Sequence, residues 1–395
     1  MARFLCFAAI SVLTLSAADE YERRVSAVRK TPGFVALWDF VKRDDGRFDA
    51  WKARGDKHDF RLDAVNYVRD YWGQGRAATY EDFPLLGSGP FSQAVRIVNE
   101  KDPDFRPCLL VPRGRLHDSA LDVKGSGKSV SLVVWLRRES GNHAIAGIWH
   151  EGTDLLGEGQ QVKRVEPGMR QYALFAGLAA NNGAVAAHVS ENGAKSFGDK
   201  YARNLAVTQE LLGSEWGVAA FAFDNAKNTV TAYVDGKATD YWIDNPEKHP
   251  FFQWPYKGWV RAHQPGAEKV PANELYAPPE GKPVRRTVLQ NNGEERVELH
   301  EFAFTKVRVT LRGKQVVKRE LVALKANPFW FGHDLYSPKE IANGGPFTIG
   351  RVIHSSRSVG FTGYIGGVAV FGRALTKKEM ERLAAIGKGR PIQAR

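Results

Sequence analysis

The sequence predicts an all-β protein built as an antiparallel β-sandwich, with a short helix near each end of the chain. From Phe91 onward, apolar runs of about five to ten residues are separated by Gly, Asn and Asp, which is typical of strands joined by turns. Helical periodicity is absent from this stretch, so a parallel sheet with crossover helices is not expected. With 43% hydrophobic and 11% aromatic residues among 395, the composition is that of a folded globular protein.

The first 18 residues predict a secretory signal peptide. Arg3 supplies a positive charge, an apolar run extends from Phe4 to Leu15, and small residues follow. The run is too short for a membrane-spanning helix, which needs about 20 residues. We therefore expect cleavage near Ala17 or Ala18, no transmembrane segment, and a secreted, periplasmic or cell-surface location. Cys108 is then the only cysteine, so the fold rests on its core and not on disulfides.

Residues 19–90 are expected to form an N-terminal extension packed on the sandwich. Tyr21, Val25 and Val28 recur at helical spacing within a polar stretch, which predicts a surface helix. The run from Phe34 to Val41 predicts a strand, and charged, turn-rich sequence follows it.

The sandwich domain is expected over residues 91–387. Its hairpin signals are a turn-forming loop at Asp224–Asn228 and the dipeptide Asp235-Gly236, which accepts positive φ. The clearest strands are predicted at Ser129–Arg138, His143–Glu151, Gln171–Ala179, Ala184–Ser190, Trp216–Asp224 and Thr229–Lys237.

An insertion is expected at about 240–290, because 8 of the 19 prolines fall between Asn245 and Pro283 and the strand pattern is lost there. Further strands are predicted at Val297–Phe304, Val307–Gly313, Pro346–Ile353 and Phe361–Gly372, with the segment Asn327–Tyr336 interrupting them.

A short helix closes the domain. Thr376 and Glu379 have the spacing of a capping box, which predicts the start of this helix, and Gly387 marks its end. Residues 388–395 are expected to be a tail.

Three segments carry a resemblance to a known family. The segment Phe361–Leu383 is similar to the closing strand and helix of laminin-G-like jelly-roll domains, within the concanavalin A-like lectin and glucanase superfamily. Ser119–Arg138 resembles the opening strands of that family, and Glu215–Lys237 resembles its central hairpin. The resemblance implies a jelly roll over residues 90–386 outside the insertion.

This resemblance specifies a fold and gives little information about function. Superfamily members include lectins, adhesion modules, hydrolases and lyases, so the fold selects none of them. Gly366 stands where the family often carries an acidic residue in its last strand, so no role of that carboxylate is carried over.

Catalytic signatures are weak. The glutamates Glu295, Glu298 and Glu301 are spaced by three, which does not place neighbouring members on one strand face. Glu298 and His300 do share a face and are the candidates for an acid and a base, with solvated polar positions as the alternative. Zinc-hydrolase and serine-hydrolase motifs are absent from the sequence.

Calcium is the cofactor that the sequence allows, and no organic cofactor is expected. Jelly-roll modules often hold calcium at loop ends with aspartate carboxylates and backbone carbonyls. The candidate ligands are Asp122, Asp224 and Asp240, and their alternative interpretation is as ordinary turn aspartates.

Aromatic residues are concentrated in the insertion and in a later loop. Aromatic faces stack on the apolar faces of sugar rings, and basic side chains pair with carboxylate or sulfate groups. The alternative is a small satellite core that anchors a long loop. The candidate ligand-binding residues are Trp242, Trp254, Tyr256, Lys257, Trp259, Arg261 and Trp330.

The charge balance favours an anionic partner. The net charge is +12, from 56 Lys and Arg against 44 Asp and Glu, but the positive charges are interspersed with acids and form no nucleic-acid-binding motif. The leading hypothesis is a secreted, non-catalytic, lectin-like module for a polysaccharide or glycan. The alternatives are a hydrolase or lyase acting on an acidic glycan, and a structural adhesion module.

Overall fold

The computed structural model of the protein describes residues 17–44, 46–87, 89–141, 144–150, 153–154, 163–164, 169–177, 183–193, 205–263, 275–353 and 360–386. The expected signal peptide lies outside this part of the chain, except for Ala17 and Ala18. The helices that the described residues form are all too short or too polar to cross a membrane. These helices are α1 (Ala17–Arg29), α2 (Tyr67–Trp72), α3 (Arg113–Leu116), α4 (Gln253–His263) and α5 (Lys377–Ala385).

A nine-stranded antiparallel sheet forms one layer of the sandwich. Its strand order is β23-β17-β16-β9-β25-β1-β4, while β7 also pairs with β25 and β6 pairs with β7. The strands are β1 (Phe34–Trp38), β4 (Trp51–Lys52), β6 (Leu85–Gly87), β7 (Gln93–Ile97), β9 (Val130–Ser140), β16 (Gly217–Asp224), β17 (Thr229–Val234), β23 (Phe329–Trp330) and β25 (Thr362–Phe371).

A seven-stranded antiparallel sheet forms the facing layer, in the order β15-β14-β13-β10-β24-β8-β5. Trp38 of the first sheet stacks on Phe347 of the second with ring centroids 5.0 Å apart, so the two layers share one apolar core. The expected β-sandwich is confirmed. The strands of this layer are β5 (Asp63–Asn66), β8 (Pro107–Val111), β10 (Ala144–His150), β13 (Met169–Ala176), β14 (Ala184–Val189), β15 (Leu205–Leu211) and β24 (Phe347–Ile349).

The predicted central hairpin is present. Strands β16 and β17 pair from Ala219 opposite Val234 to Asp224 opposite Thr229. At the other end of β17, Asp235 and Gly236 both have positive φ, 53° and 76°, as their dipeptide predicts.

The N-terminal segment differs from the expectation of an extension that packs on the sandwich. Strand β1 pairs with β25 inside the nine-stranded sheet, and β5 pairs with β8 at the edge of the seven-stranded sheet. Residues before 91 therefore supply strands to both layers. Two short hairpins complete the strands, β2 (Arg43–Asp44) with β3 (Arg47–Phe48) and β11 (Thr153–Asp154) with β12 (Lys163–Arg164).

A third sheet departs further from the expected sandwich. Five antiparallel strands follow the order β18-β22-β21-β20-β19. Strands predicted at Val297–Phe304 and Val307–Gly313 therefore lie outside the two sandwich layers, and the inserted structure extends to residue 327. The strands are β18 (Tyr241–Asp244), β19 (Arg285–Asn291), β20 (Glu295–Glu301), β21 (Thr305–Arg312) and β22 (Gln315–Asn327).

Helices α1 and α5 cover the outer face of the nine-stranded sheet. Val25 and Val28 of α1 pack in one cluster with Leu383 of α5, and the Trp135 indole donates a hydrogen bond to the Leu383 carbonyl at 3.1 Å. The predicted capping box at Thr376 begins α5.

Candidate functional site

The third sheet has one buried and one basic face. Along β21, Val307, Val309 and Leu311 are buried, and the residues between them point to the opposite side. That opposite side, here called the basic face, carries Lys306, Arg308 and Arg312 of β21. It also carries their neighbours Trp242, Arg285, Glu295, Glu301, Lys318, Glu320 and Lys325.

Positive charge is concentrated in this part of the chain. Between Lys282 and Lys325 there are eleven Lys or Arg residues and five Glu, which gives a net charge of +6 out of +12 for the whole protein. Half of the excess charge therefore lies in about a ninth of the sequence, and it creates a positive potential around the third sheet.

Trp242 lies at the end of the basic face nearest the sandwich. Strand β18 places its indole beside β22, where it is half-buried. Lys306 Nζ lies 4.4 Å and Lys325 Nζ 5.0 Å from the centroid of the ring, and these cation–π contacts fix the indole. Lys325 also pairs with Asp240 at 2.8 Å, and Lys306 is the lysine closer to the indole ring.

Ion pairs run across the rest of the basic face. Glu295 pairs with Arg312 at 3.2 Å, Glu301 with Lys306 at 3.8 Å, and Glu320 with Lys318 at 2.9 Å. Exposed pairs of this kind contribute little stability and exchange partners easily. Arg308, exposed at the centre of the face, has no ion-pair partner among the described residues.

A shallow trough of about 810 Å³ crosses the far end of the basic face. Val297 and Thr310 line it, and Leu289 and Val317 reach it from β19 and β22. Leu289 and Val317 each lie at a shift in the register of strand pairing, which marks a β-bulge. A β-bulge bends the sheet locally. The trough thus joins apolar and basic side chains on one concave surface.

The opposite face of the third sheet is covered by α4 and the segment that follows it. Glu280 accepts a hydrogen bond from the Trp259 indole at 2.9 Å and pairs with Arg319 of β22. Trp259 is 1% exposed and stacks on His263 with centroids 4.3 Å apart. The sequence predicted that Trp259 contacts a ligand. Its burial shows instead that Trp259 is a core residue.

The other predicted ligand-binding residues are distributed over α4 and strand β23. Tyr256 and Trp330 are half-buried and pack against the main core, not in a separate satellite core. Trp254 and Arg261 are also half-buried, and Lys257 is exposed with Nζ 4.4 Å from the centroid of the Trp254 ring. The structure does not bring these residues together with Trp242 on the basic face, so α4 offers a second, separate candidate surface.

Glu298 and His300 form a tight cluster with Arg296 on β20. His300 Nε2 lies 2.6 Å from Glu298 Oε2, and Arg296 Nε lies 2.7 Å from Oε1. The hydrogen bond with His300, together with the Arg296 charge, holds the pKa of Glu298 below its ordinary value. A carboxylate stabilised in its charged form is a weak proton acceptor near neutral pH, so the cluster is better suited to holding strands than to acid–base catalysis.

Asp122, a predicted calcium ligand, is at the centre of a buried ion-pair network. Its carboxylate lies 2.7 Å from Arg113 and 2.7 Å from Lys124. Burial raises the pKa of Asp122, but hydrogen bonds from Lys124 and Arg113 outweigh this effect and lower it below its ordinary value. His117 and Asp118 lie close enough to share an ion with Asp122, yet Lys124 is also 2.7 Å from Asp118. The Lys124 ammonium group thus serves as the local cation.

The other two predicted calcium ligands also have basic partners. Asp224 pairs with Lys227 at 2.8 Å and caps the short turn of the central hairpin, and Asp240 pairs with Lys325. Calcium binding at any of the three aspartates would require displacement of a positive side chain. Calcium binding at these aspartates stays a prediction.

The basic residues of β21 and β22 were missed as site residues from the sequence. A signal was present, because the apolar residues Val307, Val309 and Leu311 alternate with polar residues from Lys306 to Arg312, and three of those four polar residues are basic. This period-two pattern is typical of a strand with one solvated face. The contact of Lys306 and Lys325 with Trp242 depends on strands distant in sequence, and no local pattern predicts it.

Comparisons with known proteins find distant structural likenesses only. No family model matches the chain, and no curated protein matches it. The binding domain of botulinum neurotoxin DC in complex with SialylT is 7% identical at a TM-score of 0.39, over 91% of this chain and 52% of that chain. Domain 4 of an extracellular arabinanase from Geobacillus stearothermophilus, in complex with arabinotriose, is 11% identical at a TM-score of 0.35, over 89% of this chain and 98% of that chain. A sialidase from Trypanosoma rangeli is 9% identical at 0.36, over 94% and 39%.

These structural similarities are weak. The chain spans about half the length of the toxin chain. Because the TM-scores lie below 0.5, they carry no argument about function, which must rest on the surfaces described above.

Proposed function

We propose that the protein is a secreted, non-catalytic, carbohydrate-binding protein, and that the basic face of its third sheet binds an acidic polysaccharide. The observation that carries the proposal is the half-buried Trp242, with the ammonium groups of Lys306 and Lys325 at 4.4 and 5.0 Å from its ring centroid. We further propose that the sandwich supporting this sheet is of the laminin-G-like type.

The chemistry of an acidic sugar fits this surface. A uronic or sulfated sugar presents an apolar ring face and an anionic group in one residue, and an indole beside lysines offers a partner to each. Arg308 extends the positive surface from Trp242 toward the trough, where Arg312 and Lys318 lie. A polymer with regularly repeated charges would contact several of these groups at once, which raises its affinity over that of a single sugar.

Binding to immobilised acidic polysaccharides tests the proposal. A panel of polygalacturonate, alginate, hyaluronan and chondroitin sulfate covers carboxylate and sulfate ligands. Trp242→Ala should raise the dissociation constant for the bound polymer about tenfold, which corresponds to loss of one stacking contact of about 1.4 kcal/mol. Trp254→Ala, on the separate α4 surface, should leave it unchanged.

Charge is tested with matched double variants. Lys306→Gln with Lys325→Gln should weaken binding strongly, whereas Lys377→Gln with Lys378→Gln on α5 removes the same charge elsewhere and should have little effect. Equal losses in the two double variants would show that only net charge matters and would contradict a defined site. If Trp254→Ala weakens binding and Trp242→Ala does not, the site lies on α4 instead.

Calcium and secretion are further parts of the proposal. Binding measured with and without a chelator tests whether calcium at Asp122, Asp224 or Asp240 takes part. N-terminal sequencing of protein recovered outside the cell tests cleavage near Ala17 or Ala18.

A further inference from the structure

Strand β19 is an exposed edge of the third sheet. Among the described residues its strand partner is β20 alone, and six of its seven residues are exposed. Val288 is 57% and Leu289 51% exposed, and Val284, just before the strand, is 77% exposed. An edge of this kind presents unpaired backbone N–H and C=O groups beside apolar side chains, and so offers a template for another strand.

We propose that two copies of the protein associate through β19, with the two strands antiparallel and a two-fold axis at Thr287. The two third sheets then form one continuous sheet of ten strands, and the contact is isologous, because the same residues come from both copies. The partner is thus a second copy of this chain, selected by the self-complementarity of the strand.

The bulge at Leu289 limits which register is possible. Before it, Arg286 and Val288 lie on one face of the strand, in register with His300 and Glu298 of β20. Arg285 and Thr287 lie on the other face, where Leu289 lines the trough. The regular stretch therefore runs from Arg285 to Leu289, and its centre is Thr287.

Pairing around Thr287 places complementary side chains opposite one another. Thr287 faces Thr287 of the second copy, Arg286 faces Val288, and Arg285 faces Leu289. The aliphatic stems of the arginines then cover apolar side chains that are half exposed in one copy. Centring the pair on Arg286 would instead set two arginines directly opposite, which is unfavourable.

A register centred on Val288 is also disfavoured. It needs Gln290, which lies beyond the bulge on the face opposite to Arg286. In the register centred on Thr287, glutamates of the same chain offset the positive charge of the two arginines. Glu301 is in register with Arg285, and Glu298 interacts with the charge of Arg286. The contact is short, so we expect a dimer of micromolar affinity.

Sedimentation equilibrium tests the association without any glycan. Purified protein should show a concentration-dependent increase from monomer to dimer up to about 200 µM. Val288→Lys places a lysine opposite Arg286 of the second copy and should raise the dissociation constant about tenfold. Val316→Lys, at a 50% exposed position near the start of β22, is the matched control and should leave the dissociation constant within about twofold.

A cross-link tests the register itself. In Thr287→Cys the two new thiols face each other across the two-fold axis, so mild oxidation should give a covalent dimer. Val316→Cys should cross-link far more slowly, and the native Cys108 is buried. A protein that stays monomeric at about 200 µM, or equal cross-linking of the two cysteine variants, would overturn the proposal.

Discussion

Glu280 is the residue whose loss should most directly loosen α4 from the third sheet. Its side chain is 10% exposed, and its carboxylate accepts hydrogen bonds from the Trp259 indole at 2.9 Å and from Thr305 at 3.5 Å and pairs with Arg319. Glu280→Ala removes the charged pair and leaves the indole N–H of Trp259 buried without its acceptor. Losing a hydrogen bond to a charged group costs about 1.5–3 kcal/mol, and an orphaned buried donor costs about 1–3 kcal/mol.

A combined loss of about 3 kcal/mol predicts a large change in local opening. Native-state hydrogen exchange of the α4 amides should become about 100-fold faster in Glu280→Ala, since each 1.4 kcal/mol is a factor of ten. Glu280→Gln keeps an acceptor for Trp259 and loses only the charge, so the exchange should become about tenfold faster. Glu247→Ala, at an exposed position just before α4, is the control and should have no effect.

A double-mutant cycle separates the contribution of the Glu280–Arg319 ion pair from that of the other Glu280 contacts. If Glu280 acts partly through Arg319, Arg319→Gln added to Glu280→Gln should cost less than the sum of the two single changes. Unchanged α4 exchange in Glu280→Ala would refute the role of this carboxylate in holding the helix.

Two further predictions concern titratable groups. Hydrogen bonds from Arg373 and Thr376 lower the pKa of Glu379 to about 2, so its charged form stabilises the fold above the ordinary value of 4.5 and this gain is lost as pH falls toward 2. Glu379→Gln should therefore lower the free energy of unfolding by about 1 kcal/mol near pH 7, where solvent screening limits the effect, and by less near pH 3 in urea titrations. Burial raises the pKa of Cys108 to about 12, so a thiol reagent should react with it only after unfolding; rapid reaction of the native protein would contradict its burial.

The sequence was informative where one local pattern determines the structure. The β16–β17 hairpin follows from its turn residues, and the start of α5 follows from the capping box at Thr376 and Glu379. The two sandwich layers follow from continuous apolar runs, which are typical of strands buried on both faces.

Helix α4 lies within the expected insertion, where the prolines and the loss of the strand pattern indicated a long loop. Pro255 lies in the first turn, where its missing N–H is not needed. Gly258 lets another segment approach closely, since a Cβ atom there would lie 2.8 Å from the Tyr276 backbone nitrogen. Both residues fit the helix for reasons that become visible only in three dimensions.

The third sheet shows the same limit at a larger scale. Alternation along β20 and β21 predicts strands, but it does not tell which sheet they join. Their membership follows from β22, which pairs with β21 from Gln315 to Leu324 and with β18 from Ala323 to Asn327. The grouping of Trp242 with Lys306 and Lys325 depends on that topology, so it could not be predicted from composition.

Electrostatic attraction between the basic face of the third sheet and an acidic polysaccharide is the basis of the proposed function. The most direct measurement is the salt dependence of binding to polygalacturonate and to its fully methyl-esterified form, which has the same backbone without the charges. We expect measurable binding to the acidic polymer, an affinity that falls steeply as salt increases, and little binding to the ester. Equal binding to both polymers, or no binding to any acidic polymer of the panel at low salt, would contradict the proposed function.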